Sequence, residues 1–569
     1  MTEELLASLA FTTNVWLSAS SPLFKSSGGA PVSISDNHHQ QKLQVVLRSL
    51  NVREREVLAT SCGCKCKDWS QVCLLLPAIE GQTDQSHLLQ DLISNTNFEG
   101  VVVLRLDNNN YSDVNNSNLD PWKKGPMGIH SNFLISNSIV ATQSWVSCNT
   151  LISDTHILPA SVVVGCGSVT ASPPTAGTLY HNRGEIKLSV GPESGGGRNL
   201  VLQPESDMME VCRQLLTPTA STNEAPHDTT TMASMNIISS HSIVRNTPSI
   251  QGIFLASGSS IQAATSVSNA ILFPTAAIHN TCIVENVRMQ WNSSISDNSR
   301  VSDALLMEES HIGPNSLVAS SVFGPDVHVS AGEVHNSVLG PNTNAHHQSL
   351  VISVLWPLGR GNVGYGANIG SNHTGRIPDQ ETTSGEGVFW GLSCVIKFPV
   401  DLTMAPYSIV AAGTSLPPQR VCMPFSLIVT GSGSDNNILP GWVLSSSPYT
   451  IARSEKKYAT RRKAKRHNHY TGWKIIRRET IDMCRWARKQ LVNVATKGET
   501  YVAERAINGI GSNILNEKGR QSGIKTYTEC IQKFALEGLM SWLVQQDQAG
   551  GIDEMCLHTD RVFSCFGTS

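Results

Sequence analysis

Aliphatic residues recur at every sixth position through the middle of the chain. The first run is Leu134, Val140, Val146, Ile152, Leu158 and Val164. Later runs slip by one residue between them, and they are Val244 and Ile250, then Ile261 and Val267, then Leu272, Ile278 and Val284, then Ile295 and Val301, then Leu306, Ile312 and Val318. A period of six fits neither an amphipathic helix nor an alternating strand. It predicts a mainly β parallel β-helix with coils of about 18 residues, each made of three hexads.

The pattern also divides the chain. Residues 1–125 lack this six-residue repeat. We expect them to form an α/β cap that covers the open end of the solenoid. Residues 126–450 form the β-helix, with a long insertion rich in Pro, Gly, Ser and Thr at about 171–235, which we expect to be partly disordered near 217–232. Helical periodicity from Ile476 onward predicts an α-helical region over 451–569. A β-sandwich is the alternative for the centre, but its strands repeat at looser spacings of about 8–12 residues.

Composition limits the partners and the cellular compartment that we expect for the protein. The chain has 569 residues, a formal charge of −3 and only 15% charged residues, so no global charge draws it to nucleic acid or to an anionic membrane. No run of 18 apolar residues occurs, and the 14 cysteines are scattered rather than densely spaced. We therefore expect a soluble cytoplasmic protein that binds neither membrane nor nucleic acid, with the basic run over 453–466 forming a solvated helix face.

Three short patterns suggest metal or nucleotide chemistry. Cys62, Cys64 and Cys66 alternate, but they lack the paired spacing of a zinc site, which favours a structural role. His311, His328 and His346 lie 17 and 18 residues apart, so they could stack on successive coils, with or without zinc between them. The motif over 359–364 matches G-x-G-x-x-G, but more glycine-rich β sequence follows where a dinucleotide site needs a helix.

The segment 346–381 is the part of the chain richest in side chains that can act in catalysis or bind a ligand. A histidine beside carboxylates can be tuned to act as a general base, so His373, His346 and His347 are the candidate catalytic residues. Arginines grip phosphate or carboxylate through two parallel hydrogen bonds. The candidate substrate-binding residues are Arg360, Asn368, Asn372, Thr374, Arg376, Asp379, Gln380, Glu381 and Lys397. We expect backbone amides of 364–370 to stabilise an oxyanion, and a structural network closing this loop is the alternative.

Several stretches resemble a family known as domain-of-unknown-function 4954. They are WPLGRGNVGYGANIGSNHTGRIPDQE (356–381), GEGVFWGL (385–392), IKFP (396–399), APYS (405–408) and PFSLI (424–428), with HHQSL (346–350) and GCKCKDW (63–69). The resemblance implies a left-handed β-helix related to acyltransferase and nucleotidyltransferase solenoids. The layout over 366–399 is also similar to the acetyltransferase half of bacterial N-acetylglucosamine-1-phosphate uridylyltransferase, which implies a site for a sugar and acyl-CoA.

These observations lead to one functional hypothesis and two alternatives. The hypothesis is a homo-oligomer, with a trimer favoured, that binds a sugar, nucleotide-sugar or sugar phosphate and transfers an acyl group with a histidine base. Acyl-CoA is then the candidate co-substrate, and no other cofactor is indicated. The first alternative is a non-catalytic regulatory or scaffold subunit of a nucleotide-sugar or other multi-subunit complex. The second is a zinc-dependent hydratase like the hexapeptide-repeat carbonic anhydrases.

Overall fold

The structure is a computed structural model of the chain. It describes residues 10–12, 14–15, 18–21, 32–36, 43–78, 83–106, 127–171, 184–192, 197–217, 235–371, 380–431, 435–466, 473–495 and 497–548. The chain divides into two compact units. The first unit holds Met1–Val190, Arg198–Pro325 and Val329–Ala331, and the second holds Gly191–Gly197, Asp326–His328 and Gly332–Ser569.

The first unit contains 28 of the strands in the described ranges and three helices. Its strands are β1 (Val32–Asp36), β2 (Leu43–Ser49), β3 (Lys65–Cys66), β4 (Val72–Pro77), β5 (Ile93–Ser94), β6 (Asn97–Glu99), β7 (Val102–Arg105), β8 (Gly128–His130), β9 (Leu134–Ser136), β10 (Ile139–Ala141), β11 (Trp145–Ser147), β12 (Leu151–Ser153), β13 (Thr155–Ile157), β14 (Val162–Val164), β15 (Ser168–Thr170), β16 (Ile186–Val190), β17 (Arg198–Leu202), β18 (Asn236–Ile238), β19 (Ile243–Arg245), β20 (Ser249–Leu255), β21 (Ser260–Gln262), β22 (Ser266–Leu272), β23 (Ala277–His279), β24 (Ile283–Met289), β25 (Ser294–Ser296), β26 (Arg300–Leu306), β27 (His311–Ile312) and β28 (Leu317–Phe323). Its helices are α1 (Val52–Ala59), α2 (Ser86–Leu92) and α3 (Met208–Leu216).

The second unit continues with short strands and ends in helices. Strand β29 (His328–Ser330) holds residues of both units. The strands that follow are β30 (Glu333–His335), β31 (Val338–Leu339), β32 (Asn344–His346), β33 (Leu350–Ile352), β34 (Val354–Trp356), β35 (Asn362–Val363), β36 (Asn368–Ser371), β37 (Thr382–Thr383), β38 (Phe389–Trp390), β39 (Val395–Lys397), β40 (Val400–Asp401), β41 (Ile409–Val410), β42 (Ser415–Leu416), β43 (Gln419–Arg420), β44 (Leu427–Thr430), β45 (Asn436–Leu439), β46 (Thr500–Val502) and β47 (Ile514–Asn516). The helices are α4 (Trp442–Ser446), α5 (Pro448–Arg461), α6 (Arg478–Val492) and α7 (Glu517–Gln548).

Parallel pairing between successive coils confirms the predicted β-solenoid. Strands β22, β24, β26 and β28 stack in register, with Ser266 beside Ile283, Ile283 beside Arg300, and Arg300 beside Leu317. Most aliphatic positions of the six-residue pattern, such as Ile278 and Ile295, are buried. Leu134 and Val164 in the first run are only partly buried, and their neighbours Ile135 and Val163 are the residues with no exposed surface there. The C-terminal helices expected over 451–569 are also present, as α5 to α7, although α5 begins at Pro448, α4 precedes residue 451, and strands β46 and β47 lie between α6 and α7.

These coils are 17 residues long rather than about 18, because one corner is a residue shorter. That corner carries Asn269, Asn286, Asp303 and Ser320, each with a φ between 45° and 52°. Asparagine and aspartate tolerate this left-handed conformation better than other residues with a side chain. The Asn269 amide donates to Asn286 at 2.8 Å, and the Asn286 amide donates to Asp303 at 2.6 Å. The one-residue slips in the hydrophobic pattern are these tight corners.

Parallel pairing begins well before residue 126. Strands β1, β2 and β4 are antiparallel, but β4 pairs in parallel with β7 and β3 with β6. Cys62 and Cys64 lie in the turn after α1, where the Cys62 thiol donates to the Leu89 carbonyl and burial raises the pKa of Cys64 to about 11. Such thiols are unreactive, which supports the structural role.

Part of the insertion is folded. Strands β16 and β17 form an antiparallel hairpin, and α3 follows. The buried Arg288 donates to the carbonyls of Gly184 and Glu185, and Gln290 donates to those of Pro204 and Ser206. The stretch expected to be disordered lies outside the described residues except for Thr217.

The six-residue beat predicts a sharp contrast between two neighbouring isoleucines. Ile278 has no exposed surface, whereas Ile283 is 39% exposed. Ile278→Ala should lower the free energy of unfolding by about 2–5 kcal/mol, because it leaves a cavity in the core. Ile283→Ala should change the stability by roughly 0.5 kcal/mol or less, as expected of a surface site. Urea unfolding followed by circular dichroism measures both, and equal losses would contradict the assignment of the core.

Candidate cleft on the second unit

A column of outward-facing side chains runs along one face of the second unit. Its members, one from each successive coil, are His328, Asn344, Asn362, Phe389 and Ile409. His328 joins the column because its amide donates to the Thr343 carbonyl at 3.0 Å, which is the parallel pairing next to Asn344. The column is polar over its first three coils and apolar over the last two. Successive coils lie about 4.8 Å apart, so the five coils span roughly 19 Å.

Helix α5 lies over this face and runs back along it. Before the helix, the Val443 amide donates to the Phe425 carbonyl at 2.9 Å, and Pro448 occupies the first turn, where its missing N–H costs nothing. After the helix, the Lys463 amide donates to the Asp326 carboxylate at 2.8 Å. Fourteen residues of helix are about 21 Å long, which matches the length of the column.

The column and the helix enclose a cleft of about 650 Å³. That volume is typical of sites for small organic ligands. Its lining residues come from the solenoid face, from α5 and from the segment before α6. They are Asp326, His328, Asn342, Asn344, His346, Arg360, Gly361, Asn362, Gly387, Phe389, Tyr407, Ile409, Val443, Thr450, Ile451, Arg453, Ser454, Lys457, Tyr458, Trp473 and Ile475.

One buried carboxylate fixes a wall of the cleft. The side chain of Glu386 is 2% exposed and accepts hydrogen bonds from Arg360 at 2.6 Å, from the Trp473 indole at 2.9 Å and from Arg477. A buried carboxylate is stable only when nearby cations and hydrogen-bond donors compensate its lost hydration. Burial alone would lower the pKa of Arg477, but the hydrogen bond to Glu386 and its charge raise that pKa.

Aromatic rings complete the wall around Arg360. Its guanidinium carbon lies 4.4 Å from the centre of the Trp473 ring and 5.3 Å from that of Tyr458. Such cation–π contacts are strongest where water is excluded, and only 4% of the Arg360 side chain is exposed. Burial, followed by the charge of Glu386, raises the pKa of Tyr407 well above its ordinary value, so that phenol stays protonated. Tyr458 belongs to α5, so this cluster ties the helix to the solenoid face.

His346 is the histidine of the cleft whose pKa is shifted. It is half-buried, and burial lowers its pKa below the ordinary value of 6.5, with further lowering from His347 and from the Lys457 charge. The imidazole is therefore neutral at pH 7 and can accept a proton or a hydrogen bond. Lys457 and Arg453 bring positive charge to the same cleft from α5.

The structure places the predicted site residues in three groups. His346 and Arg360 line the cleft. His347, Asn368, Gln380, Glu381 and Lys397 are absent from its described lining, and Asn368 and Lys397 belong to β36 and β39, which stack on another face. His373, Asn372, Thr374, Arg376 and Asp379 lie outside the described residues.

One expectation about the polar segment needs correction. The amides of Gly364, Gly366, Ala367 and Asn368 all donate to backbone carbonyls, so they cannot form an oxyanion hole. Sequence spacing does not show which amides the pairing between coils uses. Arg360 donates to Glu386 and lies against two rings, so it is part of the wall of the cleft, and its contact with a substrate stays a prediction.

The predicted histidine stack does not gather into a metal centre. His311 belongs to the first unit and bonds to Ser294 at 2.8 Å, whereas His328 and His346 belong to the second unit. Among the described residues, no group of three or more His, Cys, Asp or Glu side chains is placed to hold a metal ion. The described part of the chain also contains no helix that is long and apolar enough to cross a membrane.

Sequence reasoning missed the contribution of the basic run. Arg453 and Lys457 were expected on a solvated helix face, but they line the cleft. The available signal was their position on an amphipathic helix directly after the solenoid. Glu386 and Trp473 were missed because their partners lie up to 91 positions away in sequence.

The two carboxylates that bond Arg477 give a matched test of the wall. Glu386→Gln removes the carboxylate that pairs with the buried Arg360 and with the partly exposed Arg477, and it should lower the free energy of unfolding by about 3–5 kcal/mol. Glu479 pairs with the same arginine at 3.0 Å but is 66% exposed, so Glu479→Gln should cost about 1 kcal/mol or less. Urea unfolding measures both, and a Glu386→Gln protein as stable as Glu479→Gln would refute the structural role of Glu386.

Comparisons with known proteins place the chain in a family without assigning an activity. An uncharacterized protein of Treponema pallidum (strain Nichols) is 30% identical over 156 residues, which cover 27% of this chain. The chain spans about a fifth (21%) of the length of that relative. A solved structure of a candidate acetyltransferase from Desulfovibrio desulfuricans G20 matches 59% of this chain and 67% of that one, with 9% identity. Its TM-score of 0.16 is too low to support an inference about fold or function.

A family model covers most of the described solenoid. It is described as Domain of unknown function (DUF4954), and it matches residues 47–483. The matched range includes Glu386, the cleft column and helix α5. The chain therefore belongs to the DUF4954 family.

Proposed function

We propose that the protein is an acyltransferase whose cleft binds a sugar phosphate or nucleotide-sugar. An acyl group passes from acyl-CoA to a hydroxyl of that bound ligand. The observation that carries this proposal is the neutral His346, which lies in one 650 Å³ cleft with two cations of α5. A neutral imidazole can take a proton from a hydroxyl, and an adjacent cation can hold a phosphate.

Different sides of the cleft suit different parts of such a ligand. Lys457 and Arg453 approach from α5 and suit the phosphate. Asn344 and Asn362 approach from the solenoid face, and each amide side chain can both donate to and accept from a sugar hydroxyl. A sugar phosphate between these sides would place a hydroxyl near His346.

The proposed reaction is an acyl transfer that needs only the acceptor hydroxyl, acyl-CoA and His346. His346 removes the proton from the acceptor hydroxyl as its oxygen attacks the thioester carbonyl. The carbon–sulfur bond then breaks, and the CoA thiolate leaves and takes the proton from His346. The products are an ester and free CoA. His373, which lies outside the described residues, remains the second candidate for the base.

A non-catalytic scaffold subunit is the second candidate function. The C-terminal half of α7 favours it, because Leu536, Met540 and Val544 are each at least half exposed. Large exposed apolar patches are typical of surfaces that another protein covers. The homo-oligomer, with a trimer favoured, stays a prediction that light scattering of the purified protein tests.

Ligand binding should depend on Lys457. Thermal unfolding against a panel of sugar phosphates, nucleotide-sugars and acyl-CoAs should reveal a stabilising ligand, worth about 2.7 kcal/mol at 100 times its Kd. Lys457→Met should raise the Kd of that ligand by about tenfold or more, because it removes the charge beside the phosphate. Lys397→Met, which removes a lysine on another face, is the control. Equal weakening by both variants would place the ligand outside the cleft.

The pH dependence of turnover should identify the base. Because burial lowers the folded pKa of His346 below 6.5, kcat/KM should fall toward acid pH as His346 becomes protonated, with the midpoint of that fall below pH 6.5. Lys457→Met removes a charge that lowers this pKa, so the fall should begin at a higher pH. His346→Gln should reduce turnover by about 10²–10⁴-fold.

His347→Gln is the control for that experiment. His347 neighbours His346, with ring centres 5.7 Å apart, but it is exposed and absent from the cleft lining. It should retain most of the activity. Full activity of His346→Gln together with loss in His373→Gln would transfer the base to His373.

A further inference from the structure

The two ends of the cleft differ in polarity on the solenoid side. The first three coils present His328, Asn344 and Asn362, whereas the next two present Phe389 and Ile409. Phe389 pairs directly with Ile409, so the two apolar side chains are neighbours on adjacent coils. A ligand that fills the cleft therefore meets hydrogen-bonding groups at one end and hydrocarbon at the other.

Helix α5 adds an apolar side chain at the apolar end, although Thr450, Arg453 and Ser454 also line the cleft from this helix. The helix starts near the coil of Phe425 and ends near that of Asp326, so its first turn covers the apolar end. Ile451 lines the cleft from that first turn, and Lys457 lines it two turns later. Because the helix runs from the coil of Phe425 toward that of Asp326, Lys457 lies closer to the polar end than Ile451 does.

A buried side chain lies beside the apolar end. Val443 lines the cleft, is 1% exposed, and donates its amide to the Phe425 carbonyl in the coil after Ile409. Tyr407, which also lines the cleft, stacks on Phe425 with ring centres 5.7 Å apart.

From this difference in polarity we infer that the apolar end holds a hydrocarbon chain, so that the group transferred is an acyl chain of several carbons rather than acetyl. The inference rests on the proposed function and specifies its donor. The transferred chain would lie along Phe389, Ile409 and Ile451, with its thioester at the boundary near His346. The phosphate of the acceptor would lie beyond that boundary, with Lys457.

The size of the apolar end limits the length of the acyl chain that it can hold. Two coils span roughly 10 Å. An extended chain built from bonds of about 1.5 Å advances about 1.3 Å per carbon, so the apolar end accommodates about six to eight carbons. Each buried methylene contributes about 0.8 kcal/mol, which is about a fourfold decrease in Kd.

Alkyl phosphates test this inference without CoA. Calorimetric titration of the full chain with methyl, butyl, hexyl and octyl phosphate, each below its micellar concentration, should show Kd falling about fourfold per methylene up to about eight carbons. Ile409→Trp fills the apolar end and should weaken octyl phosphate while leaving methyl phosphate unchanged. Leu317→Trp, at an exposed apolar position in the first unit, is the matched control.

A second variant keeps the test valid if Ile409→Trp misfolds. Ile451→Asn changes the helix side of the same end and should remove most of the dependence on chain length. An identical Kd for all four phosphates would overturn the inference and leave a phosphate-binding cleft. A dependence on chain length without acyl transfer from any acyl-CoA would keep the inference and refute the proposed reaction. No binding of any alkyl phosphate would overturn both.

Discussion

The buried carboxylate of Glu386 is the constraint on which the cleft depends. It holds Arg360 from the solenoid face, and it holds Trp473 and Arg477 from the segment that leads into α6. Arg360 in turn lies between Trp473 and Tyr458 of α5. A convex solenoid has few deep pockets of its own, so a helix tied down over one face supplies the second wall that a small ligand needs.

This arrangement separates the tasks of the two walls. Solenoid coils repeat, so they present side chains at fixed spacing and in columns, which suits hydrogen bonds to a rigid ligand. The helix is not bound by that repeat and brings the cations. Burial lowers the pKa of His346 most, followed by the charges of His347 on the solenoid and Lys457 on the helix.

The sequence predicts the solenoid well, because every coil repeats the same demand for an inward aliphatic residue. It predicts the candidate site less well. His346 and Arg360 both line the cleft, but the pairing of Arg360 with Glu386 could not be predicted because the two residues are 26 positions apart. The 17-residue length of the coils was not predicted. The shorter corner is marked only by Asn or Asp at a positive φ, and these residues are too common in this chain to identify it from sequence.

A crystal structure of the protein with the sugar phosphate or nucleotide-sugar that stabilises it most would test the central claim most directly. The account predicts ligand density between the Asn344 and Asn362 column and helix α5, with the phosphate within hydrogen-bonding distance of Lys457 and a hydroxyl facing His346. Density on the opposite strands near Asn368 and Lys397, with the cleft unfilled, would contradict it.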